Sequence, residues 1–231
     1  MKSVTDPPKE HPIVMCSESV IATYAGRKTM TRRVMRLPEY DMPPDGFMLI
    51  DAAPDMEPGW YAWRFDSGSG KVPFGPPIKC PHGQPGDLLW VRETWGIHHD
   101  YEPVFDAGGR DRHKHARQLG FAGYKAEIGG GCIPILIHHW RSPRFMPKAF
   151  ARLWLRLVEV RPERLQDIGE LDCYSEGRSI GLECDPVSRP GAAWYADYWD
   201  RLNAKRGYAW ETNPSVWALS YEIDRERTVM A

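Results

Sequence analysis

Lys28 and Thr31 stand three residues apart in the run Gly26-Arg27-Lys28-Thr29-Met30-Thr31-Arg32-Arg33. A threonine hydroxyl is a poor nucleophile until a base takes its proton, and a neutral lysine amine can be that base. Free lysine titrates near about 10.4, so a site that uses it must lower that value. Burial does so, and so do nearby cations such as Arg27, Arg32 and Arg33. The same run also suits a solvated basic face, or a helix C-terminus whose dipole it complements. A second charged pair, Arg92-Glu93, ends the apolar segment Leu88-Leu89-Trp90-Val91. It reads either as a group reaching an opening or as an ion pair at a strand end.

These residues need elements to position them. Ser17 to Ala25 reads as a short helix with Ser17 as N-cap and Val20, Ile21 and Tyr24 as its apolar stripe. Gly26 is the natural stop. If the basic run is then extended, Thr29, Thr31 and Arg33 share one face and Lys28, Met30 and Arg32 the other. If it is a tight turn, Lys28 and Thr31 converge. In Leu88 to Trp95, the clearest strand of the first half, Leu89, Val91 and Glu93 lie on one face and Leu88, Trp90 and Arg92 on the other.

Composition bounds the function. The chain has 231 residues, enough for one good core with a large insertion, and 30 basic against 31 acidic side chains. That balance argues against coating nucleic acid by bulk charge but allows a local basic pocket. Ten Trp and ten Tyr require a core or a stacking surface. No apolar run reaches the length of a membrane span, and the polar, Pro-containing start lacks the apolar core of a signal peptide. The expectation is a cytoplasmic protein with no membrane contact, no obligate protein partner and no cofactor. Five scattered cysteines, Cys16, Cys80, Cys132, Cys173 and Cys184, suit reduced thiols better than a disulfide framework. Cys80 with His82, His98-His99 and His138-His139 are the candidate metal ligands, but none has the spacing of a zinc knuckle or an HExxH helix, and no metal is expected.

Residues 1–12 read as a flexible arm, with Pro12 to Met15 a short strand, and 13–225 as a single domain. Two stretches read as insertions, at about 37–81 and 96–145. The first is rich in Pro, Gly and Asp and is expected to pack irregularly around one candidate strand, Trp60 to Phe65. The second holds His113 and His115 in a loop, then a candidate strand Ala122 to Glu127 closed by Gly129-Gly130-Gly131. Ala151 to Val160 reads as a strand with Leu153, Leu155 and Leu157 on one face, and Val158 and Val160 predict a bulge or two-sided burial at its end. Leu165 to Glu176 reads as a turn and short helix stopped by Gly177. Ala192 to Lys205 is the strongest helix, with a broad stripe of Trp194, Tyr195, Tyr198, Trp199 and Leu202 ended by Gly207. Asn213-Pro214 turns into a last strand, Val216 to Ile223. Strands and helices do not alternate, so a doubly wound sheet is not expected; an α+β fold with a small mixed or antiparallel barrel and helices around it is.

Four blocks, in order, carry a resemblance. Gly26-x-Lys28-x-x-Thr31-x-Arg33 resembles the signature of the ASCH (activating signal cointegrator homology) domain, which follows a first helix. Pro81-His82-Gly83-Gln84-Pro85-Gly86-Asp87 running into Leu88 to Trp95, then Glu163-Arg164-Leu165-Gln166-Asp167-Ile168 running to Ser175-Glu176-Gly177, then Trp210-Glu211-x-Asn213-Pro214-x-Val216-Trp217 resemble a phage and prophage branch of that family. The resemblance covers Ile13 to Ile223. It implies a PUA-like fold, a small β-barrel with a cleft beside the first helix, and RNA or a modified nucleoside as ligand. One bacterial branch hydrolyses N(4)-acetylcytidine with a lysine base, a threonine nucleophile and a glutamate proton donor. Lys28, Thr31 and Glu176 match these three. Arg27, Arg32, Arg33, Arg92, Glu93, Trp95 and Tyr124 are then the substrate-binding candidates. The two long insertions depart from that branch. The alternative is a non-catalytic RNA-binding module of phage origin.

Overall fold

The computed structural model describes residues 7–36, 46–50, 60–66, 71–97, 122–126, 139–178 and 191–229. Strand β1 is Glu10–Val14, three residues of which fall in the expected arm. Helix α1 is Ser17–Tyr24. Ser17 is its first helical residue, one later than its expected role, because Cys16 holds the extended N-cap conformation. Val20, Ala22 and Thr23 face inward, and Thr23 returns its hydroxyl to the Ser19 carbonyl at 2.8 Å. Gly26, at φ +70°, turns the chain out of the helix in a conformation that costs a side chain strain. Strand β2, Met30–Val34, follows. The basic run is therefore extended rather than a tight turn.

The stretch 37–81 departs from the expected irregular packing. It carries β3 (Gly46–Ile50), β4 (Trp60–Asp66) and β5 (Lys71–Lys79), an antiparallel sheet in the order β3-β4-β5 with a register shift between Tyr61 and Trp63. Pro73, Pro76 and Pro77 disguise β5 in the sequence. It is an edge strand of that sheet, where a missing N–H can face away from the ladder at no cost.

Beyond these lie β6 (Leu88–Arg92), β7 (Trp95–Ile97), β8 (Ala122–Tyr124), β9 (Trp154–Arg164), helices α2 (Glu170–Ser175) and α3 (Gly191–Asn203), and β10 (Ser215–Ile223). The main sheet has five strands in the order β1-β6-β9-β10-β2, with β1 and β6 parallel and β6–β9 and β10–β2 antiparallel. The fold is mixed α/β with few helices. The histidines at 98, 99, 113, 115 and 138, the glycines at 129–131, and Cys132 and Cys184 lie outside the described residues.

The chain divides into two compact units: Met1–Lys9, Arg27–Asp87 and Leu157–Tyr221 form the first, and Glu10–Gly26, Leu88–Arg156 and Glu222–Ala231 the second. In the first, β2 pairs with β10 in the register Thr31↔Leu219 and Arg33↔Trp217. Its core gathers Leu165, Ile168, Cys173, Tyr195, Trp199 and Val216, with Trp194 and Tyr198 half-buried against it. Burying each such large side chain contributes about 1.5–3 kcal/mol. Leu202, placed in the helical stripe by sequence, is 45% exposed, because the buried line of α3 runs through Gly191, Tyr195, Trp199 and Asn203. At β9 the alternation breaks where Val158 and Glu159 are both exposed, so two-sided burial does not occur there. In the second unit, Trp95, Ile97, Met146 and Phe150 form one core cluster and Leu88, Trp90, Ala151 and Trp154 another.

No helix among the described residues is long and apolar enough to cross a membrane, and no group of three His, Cys, Asp or Glu there could hold a metal ion.

Candidate active site

Alternation along the chain into β2 puts Lys28 and Arg32, four residues apart, on one side. Both reach Glu176, the residue that caps the end of α2 before Gly177 turns the chain at φ +101°. Thr29 N–H donates to the Ser175 carbonyl at 2.8 Å, and Lys28 and Glu176 form an isolated antiparallel bridge. The Lys28 ammonium donates to Glu176 Oε2 at 2.5 Å and to the Glu176 carbonyl at 2.9 Å. Arg32 Nη1 reaches Glu176 Oε1 at 3.2 Å, and the Tyr195 hydroxyl donates to the same oxygen at 3.2 Å. Lys28, Arg32 and Glu176 are 2%, 4% and 3% exposed.

The guanidinium of Arg32 also donates through Nε to Glu163 at 2.7 Å and through Nη2 to Asp172 at 2.5 Å. Arg161 closes the network, with Nη2 2.9 Å from Asp172 and 3.7 Å from Glu163. Three cations, Lys28, Arg32 and Arg161, thus face three carboxylates, Glu163, Asp172 and Glu176. Burial works against the charge on Arg32, but Glu176, Glu163, Tyr195 and Asp172 together hold its pKa above the ordinary arginine value. Burial raises Glu163, against the pull of Arg32. Burial and the Glu176 carboxylate push the Tyr195 phenol well above 10.0. The rings of Tyr198 and Tyr195 lie 5.7 Å from the Lys28 ammonium and the Arg32 guanidinium.

Arg33 and Thr31 lie on the alternate face of β2. The Arg33 Nε is buried with no hydrogen-bond partner, and among the described residues no carboxylate pairs with this side chain. Desolvation lowers its pKa, with Tyr198, Glu176, Tyr221 and Tyr195 acting the other way. Thr31 is 6% exposed, and among the described residues its hydroxyl has no hydrogen-bond partner. The Lys28 amine is engaged by Glu176 rather than by Thr31. Arg27 is exposed.

The other four sequence candidates, Arg92, Glu93, Trp95 and Tyr124, belong to the second unit. Glu93, fully buried, takes a bidentate pair from Arg152 at 2.8 and 2.8 Å, not from its neighbour Arg92. Burial raises the Glu93 pKa and Arg152 opposes it. Arg152 also donates to the Ala126 carbonyl at 2.6 Å and lies over the rings of Tyr124 at 4.1 Å and Tyr24 at 5.7 Å. Arg92 stacks over Trp90 at 4.6 Å, and its Nε has no hydrogen-bond partner. Trp95 is 1% exposed and stacked on Phe150 at 5.0 Å, so its ring is a core contact and not an open platform for a base.

Sequence reasoning missed Glu163, Asp172, Arg161, Tyr195 and Arg152 as members of these centres. The signal existed for two pairs. Arg161 and Glu163 are two apart on a strand and so share a face, and Asp172 and Glu176 are four apart along α2 and its cap. Nothing in the spacing distinguishes Tyr195 from the other aromatics of its stripe. In comparisons with known proteins, the chain matches no family model, no curated protein and no solved structure.

Proposed function

We propose that this chain is an ASCH-type protein that takes a modified nucleoside or RNA and hydrolyses an acylated base such as N(4)-acetylcytidine, with Lys28, Thr31 and Glu176 as its reacting groups. The fold proposed with it is a PUA-like small β-barrel, of which the five-stranded mixed sheet is the supporting part. The proposed setting is the cytoplasm. One observation carries the reading: Lys28 and Glu176, 148 residues apart in sequence and paired by the resemblance alone, meet at 2.5 Å in a buried centre.

Chemically, that pair can supply both a base and an acid. Passage of one proton from the Lys28 ammonium to the Glu176 carboxylate along their hydrogen bond yields a neutral amine and a neutral carboxylic acid together. Thr31 lies on the other side of β2, so the freed amine takes its hydroxyl proton through bridging water around that edge strand as Oγ1 attacks the acyl carbon. Protonated Glu176 gives its proton to the leaving amine of cytosine as the C–N bond breaks. Water then cleaves the Thr31 acyl ester and releases acetate. Arg32 and Tyr195, both on Glu176 Oε1, hold the carboxyl group in place.

A second reading, RNA binding without catalysis, is favoured by the Thr31 hydroxyl, which has no hydrogen bond to Lys28 in this structure. Arg33 then holds a phosphate. Release of cytidine from N(4)-acetylcytidine, followed by chromatography, separates the two. The expected result is turnover by the wild type that falls by at least about 100-fold in Thr31→Ala and in Lys28→Ala. Wild-type turnover that survives Thr31→Ala sinks the nucleophile; no turnover by the wild type moves the weight to binding.

A further inference from the structure

The segment 139–150 of the second unit holds exposed aromatic rings and cations on a fixed backbone. Its sequence, His-Trp-Arg-Ser-Pro-Arg-Phe-Met-Pro-Lys-Ala-Phe, contains no carboxylate. Two short 3-10 turns, Pro143–Phe145 and Lys148–Phe150, shape it. Arg141 is bridged to Trp95 through backbone hydrogen bonds of 2.7 and 3.3 Å, and the Ser142 hydroxyl caps the first turn from 3.4 Å. Met146 and Phe150, both fully buried, anchor it in the cluster with Trp95 and Ile97. Ahead of those anchors the chain does the opposite of burying its apolar groups. Phe145 is 72% exposed and Trp140 37% exposed. Arg144, also exposed, makes no ion pair among the described residues, and His139 is exposed beside Trp140. Lys148 is held by Glu10.

We propose that this segment is a binding surface for single-stranded RNA, with Phe145 and Trp140 as stacking platforms and Arg144 as a phosphate contact. A flat ring costs little conformational entropy to present, and every base has a face to stack on it. Exposed aromatic rings beside the exposed Arg144, with Lys148 already held by the Glu10 carboxylate, complement a polyanion that carries unstacked bases. A duplex, with its bases already stacked, fits it less well. The inference goes beyond the proposed function and depends on no residue of the Lys28–Glu176 centre.

The test is fluorescence anisotropy of the full chain with a labelled oligouridine of about twelve nucleotides, a length within the range of known single-strand sites. The expected result is binding that weakens at least about fivefold in Phe145→Ala, the lower end of what one base–aromatic stack contributes. Arg144→Gln should weaken it and reduce its salt dependence. A duplex should compete poorly. Phe145→Leu, which keeps the bulk and loses the ring, should behave as Phe145→Ala. No binding by the wild type overturns the proposal, as does binding that loses nothing in Phe145→Ala and is displaced equally well by heparin. Failure of the hydrolysis reading shows separately, as absent cytidine release with this binding intact.

Discussion

Glu176 is the most committed residue of the first unit: its carboxylate receives Lys28, Arg32 and Tyr195, and its carbonyl receives Lys28 again. Removing one partner of a buried ion pair leaves the others charged and unsolvated, at about 3–5 kcal/mol. Glu176→Ala takes the carboxylate from buried Lys28, while Arg32 keeps Glu163 and Asp172, so its loss of unfolding free energy in urea should fall in that range. Tyr195→Phe removes a single hydrogen bond and should cost about 1 kcal/mol. If the two variants were equally stable, the carboxylate would not be the centre of the network. The contact between Lys28 and Glu176 was legible only through the resemblance, because nothing in residue spacing links positions 148 apart. The failure at Glu93 has a different cause. An adjacent Arg92 suggests itself as the partner, but neighbours on a strand point to opposite sides, and Arg152, on the strand's own side, takes the carboxylate instead.

The elements were more legible than the contacts. β6, β9, β10 and α3 follow directly from apolar alternation or a helical stripe, and glycines at positive φ end α1 and the turn after α3 where the sequence puts them. β5 was hidden by its prolines and β3 by the Asp- and Pro-rich setting around it, since composition reports loops and only pairing reports an edge strand. The join between α2 and α3 depends on a glycine for space rather than for φ. The Glu170 carboxylate accepts from the Gly191 N–H at 2.8 Å and from Arg178 at 2.6 Å, tying the start of α3 to the start of α2. A Cβ at Gly191 would collide with that carboxylate. Glu170 is a flexible, half-exposed side chain and can swing away, so Gly191→Ala should forfeit the tie without breaking the fold. The loss of a helix N-terminal partner costs about 1 kcal/mol, partly offset by the better helix propensity of Ala. The expected outcome is a small drop in melting temperature that Glu170→Ala reproduces, with no further loss in the double variant. An additive double variant would mean that Gly191 and Glu170 act separately.

At the scale of the whole molecule, the first unit carries a built-in response to alkali. Four weak acids are buried in the first unit and kept neutral there. Burial pushes the Tyr61 phenol up to about 12, the Cys80 thiol up to about 12 and the Cys173 thiol up to about 11, and the Tyr195 phenol well above 10.0. In the unfolded chain the thiols ionise near 9.0 and the phenols near 10.0. Between those values and the folded ones, the unfolded state has released protons that the native state still holds. Stability must therefore fall as pH rises, with each titrating group adding a slope of up to about 1.4 kcal/mol per pH unit. The contribution is fully present below pH 9 and is lost from there upward, the thiols first and the phenols about one unit later. Urea midpoints followed by Trp fluorescence should be level from pH 7 to pH 8.5 and drop steadily by pH 10.5. The double variant Cys80→Ala/Cys173→Ala should flatten the first part of that drop while leaving the part above pH 10, where Tyr61 and Tyr195 titrate. A midpoint that stays level to pH 10.5 in the wild type would mean that these four groups reach water in the native state, and that the packing around Tyr195, on which the Glu176 centre rests, is looser than its 1% exposure indicates.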